Sequence, residues 1–232
     1  MEAPAALVAC AHGTRDPAGR RAIDQFRADV AAARPALRVL EAHVDVQRPS
    51  LAEALGGIGP AVVVPLLLSR GYHVHVDIAE TAAAAGPGVR VAPALGPDSV
   101  LVGVLVDRLT AAGLAADHAV VLAAAGSSDP RAKQDVELTA RELAQRLCRD
   151  VVAAYAAAAQ PRVDEVVAGL AAARRRVALA SYLLAPGHFY DRLRDIPANL
   201  YTDPLLPHPK LVELVLRRYD DALSHTSGRD RS

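Results

Sequence analysis

Aromatic side chains are scarce in this chain: no Trp, two Phe and six Tyr among 232 residues. Stacking platforms for nucleobases are therefore not expected. An excess of one charge is lacking too. The 26 basic and 26 acidic side chains cancel, which removes the electrostatic footprint of a nucleic-acid or anionic-membrane binder. Cysteine is limited to Cys10 and Cys148, which form neither a disulfide framework nor a Cys-based metal motif. Both are read as reduced packing residues. No apolar run approaches the roughly 20 residues that span a bilayer. The opening MEAPAALVACAHGT has no basic n-region and reads as a strand. A cytoplasmic protein with no nucleic-acid and no membrane partner is the expectation. A GxxxxGK[ST] phosphate loop is also missing.

Apolar residues, in contrast, make up 52% of the chain, enough for a sizeable core. They fall into short continuous runs at 5–11, 37–44, 61–68, 89–93, 118–124, 151–156 and 177–184, with a weak one at 198–202. Helical patterns fill the gaps at 17–33, 49–57, 76–85, 98–112, 131–148, 161–174, 188–194 and 208–222. Continuous apolar strands alternating with helices predict an α/β fold with parallel sheets covered on both faces.

The chain also repeats itself. LVACAHGTRDP at 7–17 aligns with VVLAAAGSSDP at 120–130, placing Gly13 on Gly126 and Asp16-Pro17 on Asp129-Pro130. PSLAEAL at 49–55 matches PRVDEVV at 161–167, and LLLSRGYH at 66–73 matches YLLAPGHF at 182–189. The prediction is two similar doubly wound parallel-sheet domains that arose by duplication. Their expected extents are 1–114 and 115–224, with a tail at 225–232.

In such sheets ligands bind beyond the carboxyl ends of the strands, where strand order reverses. Three strand ends of the first half carry polar groups there: His12-Gly13-Thr14, His43-Val44-Asp45 and Ser69-Arg70-Gly71-Tyr72-His73-Val74-His75. Each has an ordinary structural reading when taken alone. His12 could cap a strand–helix junction, His73 and His75 could lie on a surface loop, and Asp45 could be a turn residue. If the third segment is extended, the alternate spacing of His73 and His75 puts both on one side. Taken together, imidazoles with one carboxylate suit Fe²⁺, Co²⁺ or Ni²⁺ and leave coordination positions open. His12 aligns with Ala125 and Asp45 roughly with Ala157, so a metal site confined to the first half is expected.

AHGTRDP, HVDVQRPSL and VVVPLLLSRGYHVHVDI together resemble the sirohydrochlorin chelatase family of class II chelatases. The resemblance covers the whole chain and implies two related domains facing across a cleft. It also implies insertion of a divalent metal into sirohydrochlorin, a planar, carboxylate-rich tetrapyrrole, with no ATP and no permanently bound cofactor. Iron insertion toward siroheme is favoured over cobalt insertion toward cobalamin, and a non-catalytic metal or tetrapyrrole carrier is the further alternative. His12, His73 and Asp45 fall on the family's catalytic and metal-ligand positions, with Asp45 standing where the family usually has Glu. His75 lies outside the pattern, as a spare ligand or a solvent residue, and His188 sits beside the position equivalent to His73. Thr14, Arg15 and Arg70 are candidates for the substrate's carboxylates, with Ser127 and Ser128 on the other side of the ring. A monomer is expected, the duplication supplying a pseudo-dimer.

Overall fold

The computed structural model describes residues 4–224, with the side chains of residues 72–75 outside that description. Eight strands and eight helices alternate: β1 Ala6–Ala11, α1 Pro17–Ala33, β2 Val39–His43, α2 Leu51–Leu55, β3 Ala61–Pro65, α3 Tyr72–Ala84, β4 Val89–Val91 and α4 Ser99–Ala111. The series then repeats as β5 His118–Ala124, α5 Pro130–Leu147, β6 Val151–Tyr155, α6 Val163–Ala172, β7 Arg176–Tyr182, α7 His188–Arg194, β8 Leu200–Tyr201 and α8 Pro209–Ser224. The strands form two all-parallel sheets of identical order, β2-β1-β3-β4 and β6-β5-β7-β8. The expected duplicated, doubly wound parallel architecture is thus observed.

Local chemistry accounts for the elements. All six residues of β1 and all five of β3 are buried, as their unbroken apolar runs require in a sheet covered on both faces. Each Asp-Pro pair starts a long helix. The Asp16 carboxylate accepts from the N–H groups of Ala18 and Gly19, and that of Asp129 accepts from Arg131 N–H. Pro17 and Pro130 follow at the first helical position, where the missing N–H costs nothing. On one face of the first sheet Val8, Cys10, Ala42 and Val63 pack with Leu51 and Leu55 of α2 and Ile78 and Ala82 of α3. The second sheet repeats this with Val121, Ala123, Ala154 and Leu179 against Val163, Val167 and Leu193.

Two expectations are corrected. The third apolar run forms strand only to Pro65, and α3 begins at Tyr72, not at 76. The segment bearing His73 and His75 is therefore helical. Positions two apart on a helix lie about 200° apart around its axis, so the argument from extended spacing fails. Cys148 is the second correction. It is exposed, in a left-handed conformation at the end of α5, and is not a packing residue.

The compact units do not follow the linear repeats. Among the described residues, one comprises 4–67, 72–95 and 209–224, the other 68–71 and 96–208. The last helix of each repeat is thus exchanged. In the first unit Arg218 of α8 donates to the carbonyls of Ala94 and Leu95, after β4. In the second, Arg108 of α4 donates to those of Leu205 and Pro207, after β8. The expected tail at 225–232 lies outside the described residues. Among the described residues no helix is long and apolar enough to cross a membrane.

Candidate metal centre

β1 is the strand from which the chain winds both ways, β2 on one side and β3 on the other. A ligand crevice is expected at the carboxyl ends of these strands, and the hydrogen bonding there is specific. The parallel ladder continues past the strands, with Val44 N–H donating to the Ala11 carbonyl at 2.9 Å and Asp45 N–H to the His12 carbonyl at 3.0 Å. On the other side Leu66 N–H donates to the Cys10 carbonyl at 2.8 Å. The backbones of His12 and Asp45 are therefore hydrogen-bonded to each other, and both residues are exposed to solvent.

Gly13 makes this possible. Its φ is +97°, and a Cβ there would lie 2.1 Å from the Asp45 carbonyl oxygen. Only a residue without a side chain lets the two loops approach so closely. Thr14 N–H then donates to Gln47 Oε1 at 2.7 Å, tying the first loop to the second. The Thr14 hydroxyl accepts from Asp16 N–H at 3.1 Å, fixing the entry to α1. Asp45 Oδ1 accepts from Val46 N–H at 2.7 Å, and Val46 itself takes φ +67°. The turn role expected of a strand-end Asp is thus present, and Asp45 remains exposed to solvent.

The second repeat copies the frame without the chemistry. Ala157 N–H donates to the Ala125 carbonyl at 2.8 Å, and Gly126, at φ +95°, would place a Cβ 1.8 Å from the Ala157 carbonyl oxygen. Ser127 Oγ accepts from Asp129 N–H at 3.1 Å, as Thr14 does for Asp16. Ser128 is exposed. The backbone needed to hold two loops together is shared by both repeats, whereas imidazole and carboxylate occur at these places in the first alone.

Of the remaining candidates, Arg15 is exposed on the β1–α1 loop. Arg70 is engaged with Asp135: Nη2 lies 2.7 Å from Oδ1, Nε 3.1 Å from Oδ2, and the backbone N–H 2.8 Å from Oδ2. Hydrogen bonding and charge from Asp135 raise the Arg70 pKa further from its already high value. The side chains of His73 and His75 lie outside the described residues. Among the described residues no three His, Cys, Asp or Glu side chains gather into a metal-holding group.

Gln47 and Asp135 are the residues that sequence reasoning passed over. Gln47 gave no signal. Asp135 gave one: it interrupts the apolar stripe Ala132, Val136, Ala140 and Leu143 of α5 and is itself 1% exposed. An acid within such a stripe needs a partner.

His43, next to this frame, is buried against α1, with its Nε2 3.4 Å from Glu41 Oε1. Burial lowers its pKa below the ordinary value, helped by the nearby Arg27 charge and opposed by Glu41. It lies inside the fold and is not turned to the surface where His12 stands.

A duplicated parallel α/β scaffold with an imidazole and a carboxylate at the strand ends of one copy defines a protein of chelatase-like fold. The chain belongs to the CbiX family, whose model matches residues 6–112 and, a second time, 119–222. The family resemblance carried by the three motifs is thereby borne out. The fold is similar to that of SirB from Bacillus subtilis with Fe³⁺, at TM-score 0.79, 24% identity and 97% coverage of both chains. It is similar too to the sirohydrochlorin chelatase SirB from Bacillus subtilis subspecies spizizenii in complex with cobalt, at TM-score 0.75, 20% identity and 97% coverage of both. DR2241 from Deinococcus radiodurans, a multi-domain protein with structural similarity to chelatases, matches at TM-score 0.71 and 21% identity. That match covers 95% of this chain and 56% of the other. No curated protein sequence matches the chain.

Proposed function

We propose that this protein is a metal chelatase that inserts a divalent metal, Fe²⁺ or Co²⁺, into sirohydrochlorin without ATP. The observation that carries the reading is the asymmetry of the two repeats. The loops bearing His12 and Asp45 are held together by a backbone frame that the second repeat keeps around Ala125 and Ala157. Membership of the CbiX family and a fold shared with SirB structures containing iron or cobalt support the substrate and the metal class.

In this reading His12, His73 and Asp45 hold the metal; His75, two positions from His73 on a helix, does not share its side and is left out of the ligand set. Few protein ligands leave coordination positions open, as delivery to another molecule requires. Once the metal has passed to the macrocycle, the imidazole nitrogens it leaves can accept the pyrrole N–H protons released on insertion. Exposure of His12 lets each proton pass on to water. Thr14, Arg15, Ser127 and Ser128 contact the substrate's carboxylates, with cationic and hydroxyl donors suited to them. The metal is a substrate of the reaction, and no permanently bound cofactor is needed. Iron, toward siroheme, is the favoured metal, although imidazole–carboxylate ligation discriminates weakly between Fe²⁺ and Co²⁺. The protein acts in the cytoplasm as a monomer.

The test is anaerobic absorption spectroscopy of sirohydrochlorin with Fe²⁺ or Co²⁺, with and without the protein, beside His12→Ala. Insertion well above the protein-free rate, lost in the variant, is expected. Equal rates with and without protein would leave a stoichiometric carrier as the better account.

A further inference from the structure

The segment Leu68–Gly71 belongs by sequence to the first repeat but packs into the second compact unit. It ends one residue before α3, the helix on which His73 lies. Two groups of the second repeat grip it. The Asp135 carboxylate, 1% exposed, takes the Arg70 backbone N–H at 2.8 Å together with Nη2 at 2.7 Å and Nε at 3.1 Å. The buried Tyr182 hydroxyl donates to the Leu68 carbonyl at 2.9 Å. Gly96 packs against both partners of that bond, since a Cβ there would lie 2.1 Å from the Leu68 oxygen and 2.7 Å from Tyr182 Oη. Thr139 bridges the two grips, its Oγ1 donating to the Asp135 carbonyl at 2.9 Å and lying 3.4 Å from Tyr182 Oη.

This arrangement is not a relic shared by both repeats. Counted from Pro17 as Asp135 is from Pro130, the matching place in α1 holds Ala22, and Pro186 stands where Arg70 does. A buried carboxylate is costly unless fully partnered, and this one is spent on a backbone N–H and a guanidinium of one loop.

We propose that Asp135 and Tyr182 are positioning residues for metal insertion, fixing the backbone from which α3 and His73 depart, and that Arg70 serves Asp135 and does not bind substrate carboxylates. The inference rests on the chelatase reading with His73 as a ligand. The second repeat then has a task of its own: having no ligands at the matching strand ends, it holds the loop that leads to one.

The experiment compares full-length wild type, Arg70→Gln, Asp135→Asn, the double variant and Tyr182→Phe. Co²⁺ affinity is measured by calorimetry without macrocycle, kcat and the sirohydrochlorin KM by absorption, and folding by thermal melting. Loss of a group that orients a metal ligand weakens metal binding by about 10–100-fold. Arg70→Gln and Asp135→Asn are expected to weaken Co²⁺ binding and lower kcat to a similar degree, with KM unchanged and the double variant no worse than either. Tyr182→Phe, which removes a single hydroxyl, gives a smaller loss in the same direction and remains informative if Asp135→Asn does not fold. A raised KM in Arg70→Gln alone would make Arg70 a substrate ligand and overturn the proposal. A lower melting temperature with wild-type Co²⁺ affinity and kcat in every variant would also overturn it, leaving a structural clasp only. If the wild type binds Co²⁺ but inserts none, the chelatase reading fails, and the calorimetric comparison still decides the positioning role.

Discussion

Replacing Gly13 with Ala tests how the candidate centre is built, and the duplication supplies its control. The new Cβ would lie 2.1 Å from the Asp45 carbonyl oxygen, a backbone atom that cannot rotate away. A non-glycine residue at φ +97° adds strain of about 1–3 kcal/mol. Parting the loops also breaks the Asp45 N–H bond to the His12 carbonyl and the Thr14 N–H bond to Gln47, each worth about 1 kcal/mol. The total is about 3–5 kcal/mol, or a fall in Tm on the order of 10 °C for a chain of this size. Gly126→Ala meets the same geometry, with the Ala157 oxygen 1.8 Å away, and should cost as much stability. Its loops carry alanines, so metal binding should survive. Differential scanning calorimetry gives the stability of both variants, and Co²⁺ titration below the transition gives the affinity. Equal Tm losses with metal binding lost in Gly13→Ala alone is the expected result. Gly13→Ala with wild-type Tm, or equal loss of Co²⁺ binding in both variants, would refute the reasoning.

Asp45→Ala should weaken Co²⁺ binding about 10-fold or more, while Tm changes little because the side chain is exposed; the same titration and melt check both. Stability should fall on acidification through His43. Its folded pKa lies below the ordinary value because burial disfavours the charged form. The unfolded chain therefore takes up a proton as pH drops below about 6.5, and stability is lost from there down through the folded pKa. Urea unfolding at pH 7.5 and pH 5.5 should show this loss, and His43→Gln should reduce it. The two cysteines should differ sharply: burial pushes the Cys10 thiol up to about 12, whereas Cys148 is exposed. A thiol reagent should label one cysteine in the native protein and both in denaturant, and rapid native labelling of both would contradict the burial assigned to β1.

Much of the fold was legible because parallel strands buried on both faces write themselves as unbroken apolar runs. β5 and helices α1 and α7 fall at their expected boundaries. Asp-Pro junctions marked two helix starts through capping chemistry that needs no tertiary information. Where the chain turns, periodicity lost its grip. In VVVPLLLSRGYHVH the apolar run outlasts the strand, since Leu66 is buried beyond the end of β3. Alternating His73 and His75 mimicked a strand inside a helix. The exchange of α4 and α8 was invisible, because a repeat shows which segments are alike and not which sheet each packs on. At the candidate centre the sequence pointed to His12 and Asp45, whose loops are hydrogen-bonded to each other, whereas Gln47, which ties those loops together, carries no local signature. The contact between Arg70 and Asp135 was not legible because the two are distant in sequence, although an acid in the apolar stripe of α5 was there to be noticed.

The central claim is that metal is handled at the strand ends of the first repeat. Crystals of the protein soaked with Co²⁺ under anaerobic conditions and measured at the cobalt absorption edge test it directly. The account predicts an anomalous peak within coordination distance of His12, on the same side of the sheet as Asp45 and the start of α3. A peak beside Ala125 and Ala157, or elsewhere with none at His12, would contradict it.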